Sequence, residues 1–174
     1  VGTSPGLRKV HVRRPDQQAI YAVAFNTFDA PLKTDDWIDK HVVQVKQEEL
    51  QRIELPTLTL VHEADGWQLA DLKQNEEMLK DETGNLVGQV TTITISAVLT
   101  QTQAQPGKPV LQYTLALNSG DRQTFSFYKA DGDGYLLKTS QRPEYFKVPA
   151  FYVDNIKDSS RDKLVKKKAA IVDK

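Results

Sequence analysis

The chain has 174 residues, of which 39% are hydrophobic, and this is enough for one core or for two small lobes that share one. Lysine plus arginine and aspartate plus glutamate each total 23, so the formal net charge is zero, which argues against a nucleic-acid-binding protein. The chain contains no cysteine, so disulfide bonds, thiolate metal sites and cysteine nucleophiles are excluded. No apolar run in the sequence is long enough to span a bilayer.

The first forty residues predict a leader, a hairpin and a short helix. Residues 1–8 are rich in Gly, Ser and Pro, and we expect a disordered leader or a tag remnant there. The patterns of Lys9–Val12 and Ile20–Val23 predict two strands joined by a turn. Thr34 is predicted to cap a short helix in which Trp37 is an apolar anchor.

The next segment predicts a strand, a helical turn and a hairpin. Val42–Val45 is a candidate strand, and Gln47–Leu50 is a candidate turn of helix. Thr57–His62 alternates between polar and apolar residues, Asp65-Gly66 is a favoured two-residue turn, and Trp67–Leu69 is the returning strand.

A helix and a further strand are predicted in the centre of the chain. Asn75 is a candidate N-cap, because acidic residues follow it and suit the positive end of a helix dipole. Leu79, Leu86 and Val90 recur at helical spacing after it. Thr92–Leu99 is expected to begin the next strand.

The remaining third predicts more antiparallel structure and a charged tail. Val110–Leu117 and Gln123–Lys129 form a predicted hairpin, and Tyr135–Leu137 continues it. Pro149–Asn155 is predicted to be a short helix with the proline at its first position. Residues 158–174 form a lysine-rich tail, which we expect to be solvated and frayed.

The two ends of the chain show an internal similarity at a constant offset of 115 residues. Lys9–Val12 then aligns with Thr124–Phe127, and Trp37–Asp39 aligns with Tyr152–Asp154. This favours a duplicated hairpin-plus-helix unit, although hairpins also resemble one another by chance. The resulting prediction is a single α+β domain with antiparallel sheets and a few short helices over 9–157, with repeat-like units at 9–40 and 124–155.

Catalytic and metal-binding motifs are absent from the sequence. The run from Asp131 to Gly134 resembles part of a calcium loop, but the twelfth position counted from Asp131 is Arg142, where that loop needs a glutamate, so a hairpin turn is the better interpretation. His11, His41 and His62 do not have the spacing of metal ligands. We therefore predict no catalytic residue, no cofactor and no metal site.

Aromatic residues cluster near the C-terminal end. The group comprises Tyr145, Phe146, Phe151 and Tyr152. Such a group most often closes a core, and the alternative is a patch that contacts a partner protein. These four residues are therefore the candidate contact residues.

Several segments resemble a bacterial family of unknown function, DUF 4340. The resemblance lies in Trp37–Lys40 and Val42–Val45, in the Asp65–Leu69 turn, in Met78–Leu99 and in the aromatic-rich Tyr135–Ile156. It implies an extracytoplasmic protein on the periplasmic side of the bacterial inner membrane, held by an N-terminal helix that this chain lacks. It also implies links to ABC-type transport systems of the gliding-motility type, and it supplies no catalytic residues.

The leading hypothesis is a non-catalytic accessory or interaction module that binds protein partners in a transport or envelope complex. The alternative is a solute- or lipid-binding module with a pocket between the two repeat-like lobes. An enzyme is the least favoured hypothesis; it would gain support if Asp39 and Asp154 faced one cleft. The sequence does not indicate an oligomeric state.

Overall fold

The computed structural model describes residues 6, 8–26, 34–102, 104, 106–130 and 132–168. The chain divides into two compact units, Val1–Ile38 and Asp39–Lys174, so the predicted domain 9–157 spans both. The predicted leader falls almost entirely outside the described residues, as do Asp131 and the last six residues of the predicted tail.

Twelve strands, two α-helices and three 3₁₀ turns form within the described residues. The strands are β1 (Lys9–Val12), β2 (Tyr21–Ala24), β3 (Leu50–Glu54), β4 (Thr59–Glu63), β5 (Gly66–Leu69), β6 (Glu76–Met78), β7 (Ala97–Leu99), β8 (Pro109–Leu117), β9 (Arg122–Lys129), β10 (Tyr135–Thr139), β11 (Tyr145–Val148) and β12 (Val165–Lys167). The helices are α1 (Lys80–Thr91) and α2 (Ala150–Lys157), and the 3₁₀ turns are Thr34–Trp37, Gln47–Glu49 and Arg161–Lys163.

The first unit is built on the antiparallel hairpin of β1 and β2. Val10 lies opposite Val23, and the backbone N–H of Phe25 extends the pairing by donating to the carbonyl of Arg8 at 2.9 Å. Both strands agree with the sequence prediction to within one residue. Trp37 ends a 3₁₀ turn and its side chain is 68% exposed, so its predicted role as an apolar anchor is wrong.

The second unit is dominated by one eight-stranded antiparallel sheet with the order β5-β4-β3-β8-β9-β10-β11-β7. The hairpins predicted at residues 57–69 and 110–129 are both present, and the φ angles of Gly66 (107°) and Gly120 (92°) are the positive values that tight turns need. β3 was not predicted; it joins the two hairpins by pairing with β4 on one side and β8 on the other.

One face of the sheet carries the core, and we call it the inner face. Side chains alternate along each strand, so Tyr113, Phe125, Phe127 and Leu137 lie on the same side, and all four are buried. Tyr113 stacks on Phe125 with ring centroids 5.0 Å apart, and its hydroxyl donates a 2.9 Å hydrogen bond to the carbonyl of Val90 in α1. Tyr135, also on this face, donates to Asp154 of α2. Both helices therefore pack on the inner face.

The candidate strand at Val42–Val45 is wrong. Residues 40–43 form a turn instead, and the backbone N–H of Val45 donates to the carbonyl of Thr91 at 3.1 Å. The side chain of Gln44 donates to the carbonyl of Thr92 at 3.2 Å. These bonds satisfy carbonyls at the C-terminal end of α1, which have no partner within the helix, and this local requirement overrides the β-branched pattern.

The predicted helix start at Asn75 is also wrong. Glu76–Met78 is the strand β6, and α1 begins at Lys80. The acidic residues of β6 pair with basic residues instead of a helix dipole: Glu76 forms an ion pair with Arg161, and Glu77 lies 3.4 Å from Lys166. The predicted Thr92–Leu99 strand shrinks to β7, whereas the helix near Pro149 is confirmed as α2, one residue beyond the proline.

Part of the predicted frayed tail is ordered. Val165–Lys167 pairs antiparallel with β6, so Lys166 lies opposite Glu77 and Lys167 lies opposite Glu76. Opposite charges at directly facing positions stabilise such a pair, which explains why a lysine-rich segment forms a strand here.

The fold class is α+β, as predicted, since a mostly antiparallel sheet carries two helices. The two segments aligned at an offset of 115 both begin with an antiparallel hairpin, but their registers differ by one residue. The offset maps the pair Lys9 and Ala24 onto 124 and 139, whereas Thr139 lies opposite Phe125. The internal repeat therefore stays a prediction.

Candidate interaction surface

The face of the large sheet opposite the helices is mostly polar, although it includes the buried Ala116 and Leu136, and we call it the outer face. Strand alternation places on it Arg52 and Glu54 of β3, the even-numbered residues of β8, β9 and β10, and Tyr145 and Lys147 of β11. Antiparallel sheets commonly combine one packed face with one hydrophilic face, and this sheet follows that rule.

An ion-pair cluster occupies one end of the outer face. Glu54 accepts a hydrogen bond from Arg52 Nε at 3.0 Å and is also bound by the guanidinium of Arg122. The hydrogen bond from Arg122, helped by the charges of both arginines, holds the pKa of the Glu54 carboxyl below its ordinary value, against the opposing effect of burial. The carboxylate is thereby neutralised by two cations.

Tyr128, Lys138 and Tyr145 lie together at the other end of the outer face, and we call them the tyrosine–lysine patch. The rings of Tyr128 and Tyr145 meet edge to face with centroids 6.3 Å apart, and Lys138 Nζ lies 5.7 Å from the centroid of Tyr145. Lys138 also donates to the carbonyl of Arg142. The lysine is thus held over an aromatic ring, where the quadrupole of the ring favours a cation.

Hydrogen bonds between neighbouring strands fix the polar side chains beside the patch. Gln112 Nε2 donates to Ser126 Oγ at 2.9 Å, and the hydroxyls of Thr114 and Thr124 are 3.4 Å apart. These contacts hold side chains of β8 and β9 in one arrangement. A partner that binds here would therefore meet a preorganised surface, which lowers the entropy lost on binding.

Charge is unevenly distributed over the sheet. Strands β8 to β11 contain no aspartate or glutamate, but they carry four basic residues, namely Arg122, Lys129, Lys138 and Lys147. Three of these, all except Lys129, lie on the outer face. Arg122 is paired with Glu54, so Lys138 and Lys147 are the basic residues that these strands present beside the tyrosine–lysine patch.

The structure separates the four predicted contact residues. Tyr145 belongs to the tyrosine–lysine patch, whereas Phe146 points to the inner face and is 2% exposed. Phe151 and Tyr152 lie on α2, where Phe151 is 56% exposed and its ring centroid is 4.1 Å from that of Tyr152. Whether any of the four contacts a partner stays a prediction.

Sequence reasoning missed Tyr128 and Lys138. A signal was present in Arg122–Lys129, where basic, hydroxyl and aromatic residues alternate with phenylalanines that become core residues. The alternation assigns Tyr128 to the polar face of the strand. Its proximity to Tyr145 could not be derived, because it depends on β10 lying between β9 and β11.

A cluster of metal-ligating residues is not found in the part of the chain that the structure describes. That part contains no group of three or more His, Asp or Glu residues that could hold a metal ion. His41 accompanies Asp39 in an exposed turn, and His62 packs against Trp67 with ring centroids 4.9 Å apart. Residues 132–134 lie between β9 and β10, in agreement with the predicted hairpin turn, and Gly132 and Gly134 have positive φ angles.

The aspartates of the hypothetical catalytic pair each have a local role. Asp39 accepts a 2.9 Å hydrogen bond from the backbone N–H of His41, and Asp154 accepts one from the hydroxyl of Tyr135 at 2.7 Å. These bonds account for both side chains without any chemistry on a substrate.

Helices capable of crossing a membrane are not found among the described residues. In comparisons with known proteins, a family model described as Domain of unknown function (DUF4340) matches residues 1–111. No curated protein and no solved structure match the chain. The tyrosine–lysine patch lies entirely beyond the matched segment.

Proposed function

Because the chain belongs to the family described as Domain of unknown function (DUF4340), whose description names no activity, we propose a role from its surface. The protein is a non-catalytic interaction module, and it binds an acidic surface of a partner protein through the tyrosine–lysine patch. The observation that carries this proposal is the convergence of Tyr128, Lys138 and Tyr145 on one sheet face, on the strands β9 to β11, which contain no acidic residue.

The chemistry of the patch suits protein recognition. Tyrosine supplies a large contact area with little side-chain entropy to lose, and it is enriched among the residues that dominate binding energy. Lys138 and Lys147 favour a partner with carboxylates opposite them. Glu54, at the other end of the outer face, does not oppose such a partner, since two arginines already neutralise it.

The proposal includes a location and a type of complex. We place the module on the periplasmic side of the bacterial inner membrane, as an accessory of an ABC-type transport or envelope complex. These two parts rest on the family resemblance and not on the geometry of the patch, so they need a test of their own.

The contact is tested by site-specific photo-cross-linking in the native membrane. Tyr145 is replaced by photoreactive benzoylphenylalanine, and the same replacement at Lys129, exposed on the opposite side of the sheet, is the control. We expect the Tyr145 position to capture one defined protein that the Lys129 position does not capture, and Lys138→Glu should abolish that product. Equal capture from both positions would contradict the assigned surface. The same replacement is made separately at Phe151, and capture from that position alone would move the interface to α2.

The location is tested by cysteine labelling, for which the absence of native cysteine is an advantage. Lys157→Cys places a thiol at an exposed position of α2, and the full-length gene product without this substitution is the control for labelling at any other cysteine. A maleimide that cannot cross the inner membrane should label it in intact spheroplasts. Labelling that occurs only after lysis would overturn the extracytoplasmic part of the proposal and leave the patch untouched.

A further inference from the structure

A cleft between α1 and α2 contains polar side chains that the fold itself does not use. It has a volume of about 300 Å³ and is lined by Glu82, Asn85, Leu86, Gln89, Asn155, Asp158, Ser159, Lys163 and Leu164. This volume is at the lower end of the range for small-molecule sites. The cleft is separate from the tyrosine–lysine patch, because it lies on the helix side of the sheet and the patch lies on the outer face.

The walls of the cleft come from one face of each helix. Glu82, Asn85 and Gln89 follow the three- and four-residue spacing that aligns side chains on one side of a helix. Asn155 and Asp158 supply the opposite wall from the end of α2. Leu86 and Leu164, both 3% exposed, form an apolar floor between them.

Within the described part of the chain, the polar groups of the walls have no side-chain hydrogen bond. This holds for Glu82, Asn85, Gln89, Asn155 and Asp158. By contrast, the neighbouring Ser159 and Lys163 donate to the carbonyls of Ile156 and Asp158. Four of these side chains are exposed and Gln89 is half-buried, so their polar groups face solvent in the cleft and are accessible to a ligand.

The two asparagines of the cleft occupy helix positions that are unfavourable for asparagine. Asparagine is among the less favourable residues in a helix interior, yet Asn85 lies in the middle of α1 and Asn155 lies within α2. Neither side chain forms a hydrogen bond with another described residue. Residues that are unfavourable for their secondary structure and make no stabilising interaction in the fold are expected at functional sites.

The chemistry of the walls indicates the ligand. Carboxamides both donate and accept, and carboxylates accept, so together they match adjacent hydroxyl groups. The leucine floor matches the C–H face of a ring, and the two carboxylates against one lysine disfavour an anion. We propose that the cleft between α1 and α2 binds a small neutral polyhydroxylated ligand of the size of one sugar ring. This is a binding site separate from the proposed protein contact.

The proposal is tested with free glucose, N-acetylglucosamine, glucuronate and glycylglycine, added to the isotope-labelled chain and followed by amide chemical shifts. We expect the neutral sugars to shift the resonances of residues 82–89 and 155–164, and glucuronate to bind more weakly than glucose. A chain that responds to neither neutral sugar, that responds elsewhere, or that responds to the dipeptide alone would overturn the proposal.

Variants separate binding from folding. Asn85→Ala combined with Asn155→Ala should raise the dissociation constant of the sugar by about tenfold or more, since each lost hydrogen bond weakens binding by several-fold. Lys157→Ala, on α2 but outside the cleft, is the matched control and should bind like the wild type. Unchanged binding by a folded double variant would remove the asparagines from the site and refute the proposal.

Discussion

The hydroxyl of Tyr135 donates a 2.7 Å hydrogen bond to the carboxylate of Asp154, and this bond joins the sheet to α2. The bond raises the pKa of Tyr135 above its ordinary value of 10.0, because Asp154 stabilises the protonated phenol, with burial and the charge of Asp154 adding to the effect. A group whose pKa is raised in the folded state stabilises the fold at pH values below its ordinary pKa. This contribution to the free energy of unfolding is lost as pH rises through the folded-state pKa.

We therefore expect Tyr135→Phe to lower the free energy of unfolding by about 1 kcal/mol at neutral pH. The loss should shrink in alkaline solution, where the wild-type phenol itself becomes charged beside Asp154. Urea unfolding over a series of pH values measures this. Tyr152→Phe is the control, since no hydrogen bond from its hydroxyl occurs within the described residues, and an equal loss in both variants would contradict the role of the bond.

The Glu54 cluster predicts a different dependence at acid pH. The pKa of Glu54 is lowered below 4.5, so the carboxylate stabilises the fold at pH values above 4.5. This contribution to stability is lost as pH falls through the folded-state pKa. Glu54→Gln should remove this part of the acid dependence, whereas Glu63→Gln on β4 should not. Arg122→Ala should raise the pKa of Glu54, measured by carbon NMR, more than Arg52→Ala does. The reverse order would show that the assignment of the main partner is wrong.

Two ion pairs at the junction of β6 and β12 predict unequal losses of stability when their basic residues are replaced. The pair of Arg161 and Glu76 is mostly buried, with side chains 22% and 13% exposed, while Lys166 and Glu77 are 56% and 55% exposed. Arg161→Ala leaves Glu76 without its main partner and should lower stability by about 2–4 kcal/mol. Lys166→Ala should change it by less than about 1 kcal/mol. Thermal unfolding of both variants decides this, and similar melting temperatures would contradict the prediction.

The turn before β10 predicts a strict requirement for glycine. Gly134 has a φ angle of 118°, and a Cβ added there would lie 2.7 Å from the carbonyl oxygen of Val148. Gly134→Ala should therefore lower stability by about 3 kcal/mol or more. Gly107→Ala, where a Cβ meets nothing within 4 Å, is the matched control. At Gly120 an alanine would have a strained φ angle but free space for its Cβ. The loss of stability for Gly120→Ala should therefore lie between the losses for Gly134→Ala and Gly107→Ala.

Local patterns predicted the hairpins well, because turn chemistry and alternation are properties of a few consecutive residues. Asp65-Gly66 and the segment around Gly120 are examples. The failures at Val42–Val45 and Asn75 have a common cause. In both places a partner distant in the chain decides the structure: Thr91 accepts from Val45, and Val165–Lys167 pairs with β6. Such partners are invisible to a pattern read over a short window.

The candidate sites were predicted less well than the fold. Tyr145 was identified from the aromatic cluster, but Tyr128 and Lys138 join it only through strand order. The amides of the helix cleft were not predicted at all, because Asn85 and Asn155 are far apart in the chain and belong to no known motif. Sites assembled from neutral polar side chains leave a weak signal in a single sequence.

The strand order has a consequence for how the chain acquires its structure. The segment matched by the family model supplies both margins of the large sheet, β5 and β7. The space between β3 and β7 is filled by β8, which extends beyond that segment, and by β9, β10 and β11, which lie wholly beyond it. β7 therefore has no neighbour to pair with until β11, which ends at Val148, has been synthesised. Pairings between such distant segments form slowly, because a long loop must close first. During synthesis on the ribosome, the earlier strands must wait with unpaired edges, so shielding by a chaperone should matter for this protein more than for one whose sheet is completed in chain order.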